Sequence, residues 1–258
     1  MAAPQRHPDL DVENHHNNFA LLMLSAKFDI MDHVSPICLP KPGSPPSPPD
    51  FCVSHGWGKD KFGSSGKYQE ILKEVVVPVV SNEECEKNLR ENTRLGQFFE
   101  LDSSFMCAGG VDGVDTCKGD GGSPLVCPSK YDPNTYVQAG IVAWGIGCGE
   151  DGTPGVYADV SQATCWIDQA ITCHYGGGNS YLGYTTNVCQ VWLQDKLAEL
   201  ATKRDAAGKF ARIFENMING YSKCSVNWEQ PTAPLVDISD FSRDSADSSY
   251  PSVGPSER

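Results

Sequence analysis

Eleven residues near the middle of the chain, Asp115-Thr-Cys117-Lys-Gly119-Asp120-Gly121-Gly-Ser123-Pro-Leu125, hold its densest set of groups that could do chemistry. Attack on a peptide carbonyl needs an activated hydroxyl or thiol, a base within reach, and N–H donors aimed at the developing oxyanion. Ser123 supplies a hydroxyl, but it adjoins Pro124 at the start of the apolar run Leu125-Val-Cys127 and reads as a turn serine. Six histidines are the candidate bases. His15 and His16 lie in a polar run and read as solvated loop residues. His7, His33, His55 and His174 are scattered without metal-ligand spacing and read as structural. There is no zinc signature, phosphate loop or dinucleotide fingerprint, so neither a metal nor a cofactor is expected.

The elements that would position these groups are mostly short strands. From Phe51 to Val160, β-branched runs such as Glu74-Val-Val-Val-Pro-Val-Val80 alternate with glycine-rich turns, the pattern of an antiparallel all-β domain. Residues 1–40 read as a polar lead with one apolar strand, Phe19–Leu24, and residues 41–50 as a proline-rich connector. The β domain with the start of a closing helix is expected to fill residues 51–173. Gly176–Gly178 read as a hinge into a helical extension, 174–224, with a helix over Val188–Tyr221 that Gly208 could divide. Its apolar stripe reads as a packing surface. Residues 225–258, with Asp237, Asp240, Asp244, Asp247 and many serines, read as a disordered tail.

Composition narrows the class. Twenty basic and thirty-three acidic residues give a net charge of −13, which disfavours nucleic acid and anionic membranes as partners. No uninterrupted apolar stretch is long enough to span a membrane. Eleven cysteines without a Cys-x-x-Cys pair point to disulfides and an extracellular location. Met-Ala-Ala-Pro-Gln-Arg-His-Pro lacks an apolar signal core, which suggests that an N-terminal part is missing from this chain. Spacing alone leaves the cysteine pairing open.

Several motifs in one order carry a family resemblance over about Asp11–Thr172. They are Asn17-Asn18-Phe-Ala-Leu-Leu, Ile37-Cys38-Leu-Pro, Cys52-Val-Ser-His-Gly56-Trp57-Gly58, Met106-Cys107-Ala-Gly-Gly, Ala143-Trp144-Gly145-Ile-Gly-Cys148, Pro154-Gly155-Val-Tyr157 and Trp166-Ile-Asp168-Gln. Together with the run at 115–125, the chain resembles the chymotrypsin/trypsin family of serine proteases. The resemblance implies a trypsin-like fold whose second six-stranded β-barrel is complete and whose first is only partial. It also implies that Trp166-Ile-Asp168 begins the closing helix, and that the barrel flank left bare by the partial first barrel is exposed.

The resemblance implies little catalytic equipment. Gly121 falls where the family carries its nucleophilic serine, and Asn18 where it carries the aspartate that orients the catalytic histidine. An Asp-to-Asn change alone costs about 10⁴ in turnover in such enzymes, and loss of the nucleophile on the order of 10⁶, without additivity. No Ala-Ala-His-Cys motif is present. Ser123, two residues downstream, should miss the attack position. Gly119, Asp120 and Gly121 resemble the oxyanion loop, and Asp120 matches the acid that binds the amine made by activation clipping. Lacking that partner, Asp120 is expected to be solvated and its loop mobile.

The specificity pocket is better kept. Asp115 matches the acid at the base of pockets that accept Lys or Arg, and Ala143, Trp144, Gly145 and Gly155 match its walls. Two readings of Asp115 stay open, a basic-side-chain pocket and a relic that pairs locally. The implied disulfides are Cys52–Cys127, Cys85–Cys107 and Cys117–Cys148. Cys165 with Cys173, and Cys189 with Cys224, could also pair, and Cys38 resembles the cysteine that ties such domains to an upstream segment.

The function these features imply is that of a non-catalytic serine protease homologue of the arthropod clip-domain, masquerade-like kind. Its expected partners are proteins of an extracellular proteolytic cascade of the innate-immune, prophenoloxidase-activating type. An active trypsin-like endopeptidase cutting after Lys or Arg is the alternative, with a truncated, non-functional gene product as a third.

Overall fold

The computed structural model describes residues 4–175 except 27–28, 32 and 130–134, with side chains described as far as Ile171. The expected hinge, the helix over Val188–Tyr221, the acidic tail, and Cys189 and Cys224 lie outside the described residues, as does the side chain of Cys173.

A small two-stranded sheet, β1 (Gln5–Arg6) with β2 (Ala20–Leu21), precedes a closed antiparallel barrel. The barrel strands are β3 (Phe51–Gly56), β4 (Lys73–Val80), β5 (Phe105–Gly109), β6 (Pro124–Pro128), β7 (Tyr136–Trp144) and β8 (Pro154–Asp159). They close in the order β3-β4-β5-β8-β7-β6, the complete six-stranded barrel expected of a trypsin-like fold. The expected strand over Phe19–Leu24 is shorter, because the ladder with β1 pairs only Ala20 and Leu21, with one further bond from His7 N to Phe19 O. Two helices complete the fold: α1 (Asn82–Asn92), between β4 and β5, and α2 (Val160–Tyr175), after β8.

Alternation explains β4. Val77 and Val79 point into the core while Glu74 and Val76 face outward, the period-two signature of a half-buried strand. Pro78 is tolerated there because the β4–β5 pairing begins only at Val79, so no ladder bond is lost to the missing N–H. Inside the barrel, Val77, Val79, Met106, Leu125, Ala139 and Tyr157 pack around the Cys52–Cys127 disulfide, which joins β3 to β6. Cys85–Cys107 ties α1 to β5, and Cys117–Cys148 joins two loops at the barrel mouth, so all three implied pairings are present. Cys165 is also disulfide-bonded, whereas Cys38 is free and exposed.

Two helix starts were not legible from the apolar pattern. α1 opens on Ser81, whose hydroxyl accepts from Glu84 N at 3.2 Å, with Glu83 and Glu84 in the first turn. α2 begins at Val160, not at Trp166, because Asp159 caps it: its carboxylate accepts from Ser161 N at 2.9 Å and from Gln162 Nε2 at 3.2 Å. α2 then lays Ala163, Trp166 and Ile167 on Phe19, Leu21 and Ile141, fastening the N-terminal segment to the barrel. The connector follows the same helix, with Gly43 N donating to Ser161 O and Thr164 Oγ1 to Pro40 O. Along the N-terminal segment Leu22, Leu24, Ile30 and Met31 are exposed.

Candidate functional site

The loop from Val111 to Ser123 leaves β5, crosses the barrel mouth and enters β6, and its backbone is fixed to the neighbouring strand. Gly122 N donates to Val142 O at 2.9 Å, and Val142 N to Ser123 O at 2.8 Å. β7 carries a register shift between Val142 and Trp144, which places Ala143 at the irregularity. Trp144 is held edge-on by Phe99 at 6.0 Å and by Phe105 at 5.9 Å.

These constraints bring seven of the singled-out residues around one cavity. Asp115, Gly119, Gly121, Ala143, Trp144, Gly145 and Gly155 all line a space of about 410 Å³. Cys117–Cys148 staples its walls. Gly155 is a spatial necessity, because a Cβ there would stand 2.9 Å from Asp115 Oδ1 and 3.3 Å from the Tyr157 ring. At Gly145 a Cβ would meet nothing within 4 Å, so that glycine keeps free space free.

Asp115 accepts two backbone hydrogen bonds, from Thr116 N at 2.8 Å and Gly149 N at 3.1 Å, and no cation pairs with it among the described residues. Burial raises its pKa to about 6, and the two N–H donors only partly oppose that. Beside it the Tyr157 hydroxyl is buried without a hydrogen-bond partner among the described residues. Burial pushes that phenol's pKa up, while the nearby Thr116 side chain, short of hydrogen-bond geometry, works the other way.

Asp120 departs from expectation. It is buried, not solvated, and its carboxylate accepts from Gly58 N at 2.7 Å and Cys117 N at 2.9 Å. Two backbone N–H groups thus hold the buried carboxylate in place. The carboxylate packs so closely that a Cβ on Gly56 would stand 1.8 Å from Oδ1, and one on Gly58 2.4 Å from Oδ2. The Gly56-Trp57-Gly58 motif therefore makes room for an acid sixty-odd residues away in sequence. Gly119 has φ +99°, in the left-handed region, and the Tyr68 ring would lie 2.6 Å from its Cβ. Among the described residues neither Gly119 N nor Gly121 N donates to a protein acceptor.

Other singled-out residues lie elsewhere. Ser123 does not line the cavity; its Oγ sits 3.3 Å from where a Gly56 Cβ would be. Asn18 is half-buried, next to Asn17, which has φ 52° and donates its N–H to Ser104 Oγ. His16 is less solvated than expected, edge-on to Phe105 at 5.9 Å, with Nδ1 3.7 Å from Asp102 Oδ2. His7 is buried against Trp166 at 4.7 Å, and burial lowers its pKa to about 4.

The cavity also has a wall that sequence reading missed: Lys59, Phe62, Gly63 and Ser64, with Lys118 from the central loop. Lys59 N donates to Lys118 O at 2.9 Å, which brings the two lysine positions together. The available signal was the closeness of Lys59 to Gly58, whose N–H is held by Asp120.

Residues 3–167 match the family model described as trypsin. The chain is 54% identical over 165 residues to phenoloxidase-activating factor 2 of Galleria mellonella, covering 64% of this chain and 54% of that protein. It is 43% identical over 170 residues to inactive CLIP domain-containing serine protease A28 of Anopheles gambiae, covering 64% and 42% respectively. Protein masquerade of Drosophila melanogaster is 38% identical over 156 residues, with 60% and 14% covered. The chain thus spans about half the length, or less, of these relatives. With a closed antiparallel barrel, three disulfides and a pocket built from glycine, tryptophan and a buried aspartate, this chain belongs to the trypsin family.

Proposed function

We propose that this protein is a non-catalytic member of the family, a binding and regulatory cofactor in an extracellular proteolytic cascade of the innate-immune, prophenoloxidase-activating type. The observation that carries the reading is glycine at position 121 inside a loop and pocket that are otherwise in place. Asp120 anchors the loop, Gly119 keeps its left-handed turn, and the Asp115 cavity stands open beside it. With no hydroxyl or thiol at Gly121 there is no nucleophile to form an acyl intermediate there, and Asn18 in place of an orienting carboxylate fits the same loss.

What the site can still do is bind. Asp115 is ionised at neutral pH, holds only backbone N–H donors, and faces a cavity free of bulk at Gly145. A lysine or arginine side chain would give it the charge-assisted partner it lacks. Occupancy without cleavage suits a cofactor that holds a protease or its substrate in place. Names among the relatives, a phenoloxidase-activating factor and inactive CLIP proteases, support this reading over an active endopeptidase.

Two measurements test it. Saturable enhancement of 4-aminobenzamidine fluorescence, lost in Gly155→Ser, is expected for the pocket. Reconstituted prophenoloxidase activation that responds to the protein is expected for the cascade role, and an activation rate indifferent to it would remove that role.

A further inference from the structure

Cys165 carries a disulfide, and its partner is not one of the cysteines of the barrel. Those form the three bridges Cys52–Cys127, Cys85–Cys107 and Cys117–Cys148, and Cys38 is free. The chain's remaining cysteines are Cys173, Cys189 and Cys224. Geometry excludes Cys173. It shares α2 with Cys165, and that helix runs unbroken from Val160 to Tyr175. The helical rise between the two is about 12 Å, whereas a disulfide needs its Cα atoms within about 7 Å. The pairing of Cys165 with Cys173 that the sequence left open is therefore not available, and the bond leads beyond the helix.

α2 is also covered on more than its barrel side. Ala163, Trp166 and Ile167 form the face laid on Phe19, Leu21 and Ile141. At about 100° per residue, Cys165 lies about 150° round the helix from that face. It is nevertheless only 1% exposed, and none of the three apolar clusters includes it. The connector runs along one flank, with Gly43 on Ser161 and Pro40 on Thr164. A helix buried on its outer side as well needs a further layer over it.

We propose that Cys165 pairs with Cys189 and that the segment from Val188 onward lies across the outer face of α2. The thirteen residues between Tyr175 and Cys189 reach up to about 45 Å when extended, against about 15 Å of helix to retrace. Gly176, Gly177 and Gly178 put no side chain in the way of the reversal. Val188, Val191, Trp192 and Leu193 flank the cysteine with apolar cover. Cys224 would close a longer loop at a greater cost in chain entropy. Closing the bond joins two thiol sulfurs. Their two protons and two electrons pass to a disulfide oxidant such as oxidised glutathione, which leaves as two thiols. The surface offered to partners beside α2 then belongs to the extension and not to the helix.

The test maps the bond in the full 258-residue chain, refolded oxidatively, capped with iodoacetamide and left unreduced. Chymotrypsin cuts at Trp166, Tyr175 and Tyr184, which puts Cys165, Cys173 and Cys189 on separate peptides for mass spectrometry. The expected product is a linked pair carrying Cys165 and Cys189 that separates on reduction. Cys165 found with Cys173 or Cys224, or recovered with the cap, would overturn the pairing. Hydrogen–deuterium exchange of Cys189→Ser tests the cover. Amides over 164–171 are expected to exchange at least about fivefold faster than in the unmodified chain, with 4-aminobenzamidine binding unaltered. Exchange there that ignores the substitution would overturn the seating of the segment on α2.

Discussion

Asp115 and Asp120, five residues apart, show how two carboxylates in one loop acquire different tasks from their surroundings. Asp120 is enclosed by Gly56, Gly58 and Cys117 and is fully used in holding the loop. Asp115 is left with donors too weak to offset its burial, and its pKa rises to about 6. Binding of a cationic probe through Asp115 should therefore be constant above about pH 7. As pH falls below about 6 the carboxylate protonates, and affinity for 4-aminobenzamidine should drop by up to about tenfold per pH unit, read by fluorescence titration. The opposite substitution tests Asp120. Gly56→Ala would drive a methyl into the carboxylate, break its two N–H bonds, and is expected to cost ~2–4 kcal/mol in chemical denaturation while weakening probe binding.

Among the elements, α2 and the first strands depend on each other. His7 is buried on Trp166 of α2, and with a folded pKa near 4 it is neutral where the unfolded chain would already hold a proton. Its contribution to stability is complete above about pH 6.5 and is lost as pH falls toward 4. Asp9 carries the opposite sign: burial raises its pKa to about 6, so its charge is unfavourable above that pH and protonation relieves the cost below it. Asp9→Asn should thus raise Tm at pH 7, and that advantage should shrink steadily between pH 6 and pH 4. Sequence foresaw the strands here better than their ends. β-branched runs such as Val75 to Val79 announce a strand through composition, a local signal, although which of them enter the core shows only in the folded barrel. The start of α2 depends on Asp159 turning back onto Ser161 and Gln162, and the family motif at Trp166 placed it six residues too late. α1 was missed for a similar reason, since only Ser81 and its acidic first turn announce it amid β-branched runs. Asp115, Gly145 and Gly155 were legible from motif order, whereas Lys59 and Phe62 reach the cavity through a loop fold that no local pattern encodes.

For the molecule as a whole, three disulfides cross-link sequence-distant parts of a barrel already held by strand pairing and a packed apolar core. Replacing Cys52 and Cys127 together by alanine is expected to cost about 2–5 kcal/mol, while Cys38→Ser, at a free and exposed thiol, should leave stability within about 0.5 kcal/mol. No described helix is long and apolar enough to cross a membrane. A cross-linked scaffold thus surrounds a site proposed to recognise without cutting. Hydrolysis of an arginyl amide by the oxidatively refolded chain, beside Gly121→Ser and with 4-aminobenzamidine reporting occupancy, tests that claim most directly. The account predicts saturable probe binding with no turnover by the unmodified protein. Turnover that co-elutes with the unmodified chain through successive separations would contradict it.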